Sequence, residues 1–240
     1  MYNYFKNGFE IITMNNSKKL ISLRKKIINL FSLASQLSGN GKINSDKDIL
    51  SFYKKDKKSW IMVYDQMRML PDLYQIINSE LIKKVTKISG IKFPSYTSKP
   101  VIRIVMPGNK GTSKTKLHID YPTHRGSSNA VTVWFPLQSI TKKNGTLIVA
   151  PNSHLKKNYY GSIQDNNVVR KDNIYESKKI SVPLNIGQGI VFSHFLAHKS
   201  GDNFSDKIRF SVDFRLNDLQ NKDYFNRKYY INEKTTFKKL

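Results

Sequence analysis

At 240 residues, with 39% apolar and 12% aromatic side chains, the chain can bury a substantial core and is too apolar for a disordered protein. It has no cysteine, which excludes disulfides, thiolate metal sites and cysteine nucleophiles and suits a reducing compartment. Lysine and arginine total 41 against 17 acids, a formal net charge of +24. Such a balance favours anionic partners. The basic residues are scattered, however, and no stripe interleaved with aromatics marks a nucleic-acid face.

Met1 to Asn16 lacks the apolar run of a secretory leader, and no segment is long enough to span a bilayer, so a cytoplasmic protein is expected. Ser17 to Leu37 reads as an amphipathic helix. Ser17 is its candidate N-cap, Leu20, Leu23, Ile27, Leu30, Phe31 and Ala34 recur at helical spacing, and Gly39-Asn40-Gly41 stops it. A second helical region covers Asp46 to Tyr53 and Trp60 to Leu70. Pro71 suits the first turn of a third helix running to Ser89, with Gly90 as terminator.

The pattern then changes to short strands at Val101–Met106, Lys116–Tyr121, Ala130–Leu137, Thr146–Ala150, Ile180–Leu184, Gly189–Phe195 and Ile208–Leu216. Turn residues such as Pro107-Gly108, Asn144-Gly145 and Gly187-Gln188-Gly189 separate them. Strands without interposed helices point to an antiparallel sandwich or barrel. The polar stretch Lys156 to Lys179, with Tyr159 and Tyr160, interrupts the series as a lid-like insert. The expected organisation is one domain over 1–240. It comprises a helical flank (1–95), a β core (96–216) with the insert at 155–180, and a tail (217–240).

Within this frame, Lys116-Leu117-His118-Ile119-Asp120 stands out. On a strand, the period of two puts His118 and Asp120 on one face. An imidazole and a carboxylate side by side supply two corners of a metal site. A distant histidine completes the two-histidine, one-carboxylate arrangement of non-haem iron(II) oxygenases. Of the five histidines (His118, His124, His154, His194 and His198), His194 and His198 compete for that place. If Lys199 to Lys207 connects a hairpin, His198 lies across from Arg209 on the neighbouring strand. On that last strand Arg209, Ser211, Asp213 and Arg215 alternate with Phe210, Val212, Phe214 and Leu216. The apolar face should pack on the helices. An arginine on the other, interior face needs an anion, and a planar guanidinium beside a hydroxyl suits a carboxylate.

The runs Trp134-Phe135-Pro136-Leu137, Asn144-Gly145-Thr146-Leu147 and Pro151-Asn152-Ser153-His154 follow the His-x-Asp pair in order. Together with His198-Lys199-Ser200-Gly201-Asp202-Asn203 and Arg209-Phe210-Ser211, they resemble the phytanoyl-CoA dioxygenase-like branch of the Fe(II)/2-oxoglutarate oxygenases, over about residues 100 to 216. The spacing from His198 to Arg209 matches that family and selects His198 over His194. The resemblance implies a double-stranded β-helix (jelly-roll or cupin-like) core, mainly β, flanked by N-terminal α-helices. It implies Fe(II) held by His118, Asp120 and His198, and 2-oxoglutarate held by Arg209 with Ser211. Asp120 stands where a halogenase of this class has a small residue, so oxidation of a C–H bond with release of succinate and CO2 is implied. His154 is expected to be structural, and Asn152 replaces a glycine that it can imitate at positive φ. Ile119 replaces the family's glutamine, which weakens the analogy to acyl-CoA substrates. Tyr121, His124, Arg125 and Trp134 are the candidate substrate contacts. The expected partners are O2 and a polar or anionic small molecule, for instance a carbohydrate or other biosynthetic intermediate. A nucleic-acid demethylase and a noncatalytic jelly-roll binding protein are the alternatives.

Overall fold

The longest helix carries its apolar stripe as the spacing requires. In the computed structural model, which describes residues 2–109, 115–124, 126–155 and 179–222, Leu20, Leu23, Ile27 and Phe31 are fully buried along one face of a helix over Ser17–Leu37. That helix, α2, follows a four-residue helix, α1 (Tyr4–Asn7), and a first strand, β1 (Phe9–Thr13). Three shorter helices come next: α3 (Asp46–Lys55), α4 (Lys57–Met67) and α5 (Pro71–Ile76). The last of the group is α6 (Ser79–Ser89). The caps are written in the sequence. Ser45 and Asp48 form a reciprocal capping box at α3, and Asp56 accepts from Ser59 N–H at 3.0 Å at α4. Trp60 stacks between Phe31 and Tyr64, at ring separations of 5.1 and 5.2 Å.

Two helical expectations are corrected. Helix α2 starts with Ser17 already inside it and Asn16 at the cap position, while the Ser17 hydroxyl donates to Ile186 O. The helix expected from Pro71 to Ser89 is two helices. Asn78 sits between them in extended backbone and accepts from Leu81 N–H at 3.0 Å, so a local side-chain cap prevailed over continuous helical periodicity.

The strands are β2 (Pro94–Tyr96), β3 (Val101–Val105), β4 (Val131–Pro136) and β5 (Leu147–Val149). They continue with β6 (Ile180–Val182), β7 (Gln188–Ser193), β8 (His198–Ser200) and β9 (Arg209–Asp218). A short helix, α7 (Tyr121–His124), lies between β3 and β4. All pairings are antiparallel. Six strands form one sheet in the order β1-β7-β4-β9-β2, with β3 also on β9, and β6-β5-β8 form a second sheet. The sheets face one another as a jelly roll. Its apolar filling is Phe9, Trp134, Leu147, Val149, Ile190, Phe192 and their neighbours. On the outer face of the larger sheet Val131, Val133, Phe210, Val212, Phe214 and Leu216 pack against the helices, as the alternation of β9 requires.

Three further features depart from the sequence reading. Strand β1 was not anticipated; it pairs along β7 from Phe9↔Phe192 to Thr13↔Gln188. Lys116 to Tyr121 is not a strand. It touches the smaller sheet through one antiparallel bridge, His118↔His198, and turns into α7 at Tyr121. Residues 199–207 do not close a hairpin, because β8 pairs with β5 and β9 with β2, β3 and β4. The chain there crosses from one sheet to the other, which puts His198 and Arg209 on opposite layers. The candidate insert, apart from its end residues, and the tail from residue 223 onward lie outside the described residues. Among the described residues no helix is long and apolar enough to cross a membrane.

Leu23 is fully buried between helices and sheet. Leu23→Ala should lower unfolding stability by about 2–5 kcal/mol, read from the urea midpoint at constant slope.

Candidate active site

The bridge between His118 and His198 creates the site. The two residues exchange both backbone hydrogen bonds, at 3.0 and 2.9 Å, and their rings lie 4.2 Å apart. A second pair of contacts fixes the tautomers. His118 Nδ1 lies 2.7 Å from Lys116 O and His198 Nδ1 lies 2.9 Å from Leu196 O. A carbonyl only accepts, so each Nδ1 carries the proton and each Nε2 keeps its lone pair. Both Nε2 atoms face Asp120 Oδ1, at 3.4 and 3.8 Å, and the ligand atoms of the three residues lie within 4.8 Å of one another. Ile119 turns the other way, into a small cluster with Ala150 and Ala197.

Asp120 is held as firmly as the histidines. Its Oδ2 accepts from Thr132 Oγ1 at 2.5 Å and from Arg215 Nε at 3.1 Å. Burial alone would raise its pKa, but the Arg215 guanidinium and the neighbouring histidines hold it well below the usual carboxylate range. Arg215 Nη1 lies 2.8 Å from Asp213 Oδ2, and Asp213 in turn takes Arg103 Nε at 2.6 Å and Nη2 at 3.3 Å. Arg103, Asp213, Arg215 and Asp120 therefore form an alternating chain of charges through the interior. None of Arg103, Thr132 and Arg215 was among the candidate residues. A charge inside the apolar run Val101-Ile102-Arg103-Ile104-Val105 was the available signal.

Arg209 is different. It is buried, and Nη1 donates to Gly145 O at 2.8 Å, but Nε and Nη2, like the nearby Ser211 hydroxyl, have no partner among the described residues. Burial, and then the Arg103 charge, push its pKa down to about 9. A guanidinium with spare donors beside a spare hydroxyl on an interior face fits a carboxylate. The histidine Nε2 atoms and the Asp120 Oδ1 that faces them, which also accepts from Arg215 Nη2 at 3.5 Å, likewise fit a divalent metal with neutral nitrogen and anionic oxygen ligands. Trp134 lies 5.7 Å below the Arg209 guanidinium. Together with Arg103, His118, His198 and Phe192 it lines a narrow cavity.

The remaining candidates are distributed as follows. His124 reaches the site, with Nε2 3.9 Å from Asp120 Oδ1. Tyr121 is buried and stacked on Phe195 at 4.3 Å. Arg125 lies outside the described residues. His154 is structural: Nε2 donates to Phe5 O at 3.1 Å, pinning the N-terminal segment. Its neighbour Ser153 accepts from Ala197 N–H at 2.8 Å and so braces the residue before His198, while Asn152 has φ 66°, as its place in the motif suggested. His194 is not in the ligand set. It is fully buried 6.3 Å from the His124 ring, with both ring nitrogens unpartnered among the described residues.

Burial pushes His124 down to about 4 and both His194 and His198 down to about 3. Each therefore binds its proton more weakly folded than unfolded. The stability they contribute is complete above the unfolded value of about 6.5 and is lost as pH falls toward the folded values. Metal-free protein should lose stability between pH 6.5 and 4, at a slope of up to about 1.4 kcal/mol per pH unit for each histidine, in urea titrations at stepped pH. The carboxylates Asp120 and Asp213, whose pKa values are lowered, add to the loss only at still lower pH. Breaking the buried pair by Arg215→Met should cost the metal-free protein about 3–5 kcal/mol, against about 1 kcal/mol for Thr132→Val, in the same assay.

The sequence profile of the phytanoyl-CoA dioxygenase family (PhyH) matches residues 34–211. No curated protein sequence matches the chain. Among solved structures, the fold is similar to the epimerase SnoN, crystallised with Fe3+, α-ketoglutarate and a nogalamycin compound, with TM-score 0.58, 15% identity and coverage of 90% of this chain and 81% of that one. It is similar also to AviO1 from Streptomyces viridochromogenes Tue57 (TM-score 0.59, 14% identity, 91% and 93% coverage). EctD from S. alaskensis, crystallised with bound Fe, gives TM-score 0.58, 16% identity and coverage of 91% and 75%. With the profile spanning most of the sequence and the His-Asp-His cluster at the centre of the jelly roll, the chain belongs to the phytanoyl-CoA dioxygenase family of iron- and 2-oxoglutarate-dependent oxygenases.

Proposed function

We propose that this enzyme oxidises, by hydroxylation, a C–H bond of a polar small molecule, a carbohydrate or other biosynthetic intermediate. His118 Nε2, His198 Nε2 and Asp120 Oδ1 hold Fe(II), and Arg209 with Ser211 holds the distal carboxylate of 2-oxoglutarate. The observation that carries this reading is the pairing of two sets on facing layers: three convergent ligand atoms on one, and on the other the Arg209 Nε and Nη2 and the Ser211 hydroxyl, which have no partner among the described residues. When bound, iron and 2-oxoglutarate supply the dioxygen-dependent oxidation, with succinate and CO2 as co-products.

The protein's own contribution is positional. Carbonyl bonds to both Nδ1 atoms orient the imidazoles, and Arg215 with Thr132 fixes the carboxylate. Trp134, Phe192 and Leu147 give the cavity an apolar wall that limits water. His124, beside Asp120, is the candidate side chain for a substrate hydroxyl. The narrow cavity beside the ligand cluster favours such a substrate over a nucleic-acid strand, whatever the surface charge.

Anaerobic addition of Fe(II) and 2-oxoglutarate should produce the weak visible charge-transfer band of the chelate, and a substrate screen should show coupled succinate release. His118→Ala should abolish both signals. Arg209→Gln should weaken 2-oxoglutarate binding at least tenfold, the scale of lost charge-assisted hydrogen bonds. Undiminished iron and 2-oxoglutarate turnover in His118→Ala would refute the assignment.

A further inference from the structure

We propose that Arg103 is the anchor for an anionic group of the substrate, a carboxylate or a phosphate. This deepens the oxygenase reading and rests on it. Three arginines project into the jelly roll, and they are not equivalent. Arg215 is enclosed between Asp120 and Asp213, and Arg209 is buried over the face of Trp134. Arg103 and Arg215 both reach the cavity wall, but Arg103 is the open one: its side chain is 21% exposed, against 2% for that of Arg215. It shares the cavity wall with His118, His198 and Trp134, so a small molecule touching it lies beside the ligand cluster.

The guanidinium has donors to spend. A guanidinium carries five N–H groups, and the pair with Asp213 engages only Nε and Nη2. Nη1 takes no part in that pair. The charge balance points the same way. Among the described residues around the ligand cluster, Arg103, Arg209 and Arg215 stand against Asp120 and Asp213, an excess of one positive charge; the buried Asp218 lies apart, engaged by the Lys92 and Phe93 amides and Asn129. A divalent metal and a dianionic cosubstrate cancel each other, and the surplus persists in the loaded site. An excess charge in low dielectric is unfavourable, and an anionic substrate group at the most exposed of the three arginines removes it. A neutral substrate would leave that position better filled by Val or Ile, like its neighbours on β3.

The test uses protein reconstituted with Co(II) and 2-oxoglutarate, which keeps the cosubstrate on Arg209 without turnover. Acetate and sulfate are titrated against acetamide at constant ionic strength, with thermal stability as the readout, for wild type, Arg103→Gln and Arg103→Lys. Acetate or sulfate should raise the melting temperature of the wild type, and acetamide should not. The apparent affinity should fall at least tenfold in Arg103→Gln and be partly restored in Arg103→Lys; retained 2-oxoglutarate binding shows that each variant is folded. Equal anion affinity in wild type and Arg103→Gln, meaning an adventitious ion only, would overturn the proposal while leaving the oxygenase reading intact. So would a wild type indifferent to both anions. A wild type that fails to bind 2-oxoglutarate would overturn both.

Discussion

A carboxylate buried between two β-sheets has to be compensated, and this requirement at Asp120 organises the interior. The desolvation penalty of an isolated carboxylate is several kcal/mol even after relaxation. Arg215 and Thr132 meet it on the Oδ2 side, which leaves Oδ1 turned toward the two imidazoles. Arg215 then needs Asp213, and Asp213 is shared with Arg103. One ligand for a metal thus draws three further charged residues into the sandwich. Two of those three lie on β9, the strand whose opposite face anchors the helices.

The architecture follows from that double duty. Strand β9 runs ten residues, buried throughout, with aromatic and aliphatic side chains on one face and charge on the other. A helical layer is needed to cover the apolar face, and α2 supplies its stripe. A second, smaller sheet covers the polar face and brings His198 with it. The crossing from β8 to β9 puts His198 and Arg209, the proposed metal ligand and carboxylate anchor, on facing layers. A bound keto-diacid would span the gap between them, as the chemistry requires.

The sequence revealed more of the site than of the paths that build it. The alternation in β9, the His-x-Asp pair and the order of the downstream motifs were readable because period and spacing are local properties. Local spacing could not show that His118 and Asp120 lie outside a regular strand, since their placement depends on one backbone bridge to a remote residue. For the same reason a hairpin was read between His198 and Arg209 where the chain changes sheets. Strand β1 went unread because Phe9-Glu10-Ile11-Ile12-Thr13 is short, and pairing with β7 decides its state. Arg103 and Arg215 were visible as charges among apolar neighbours, but only the fold shows that they share one aspartate.

The two kinds of positive charge in this protein carry different information. The surplus of +24 is a property of the whole sequence, and scattered surface lysines constrain solubility and encounter more than chemistry. The interior charges are few, and each is held at an energetic cost. Arg215 is balanced by its neighbours, so its position is explained by the stability of the Asp120 pair. Arg209 has donors without partners among the described residues and a pKa pushed down to about 9, which is what a site looks like when the anion that completes it is not a side chain. A fold selected for stability alone would place an apolar residue there, as it does at Phe210 and Val212 on the same strand. The guanidinium, with Nε and Nη2 unpartnered among the described residues, therefore supports the proposed cosubstrate site, over an ordinary polar cluster in a β-sandwich, more than the histidines do.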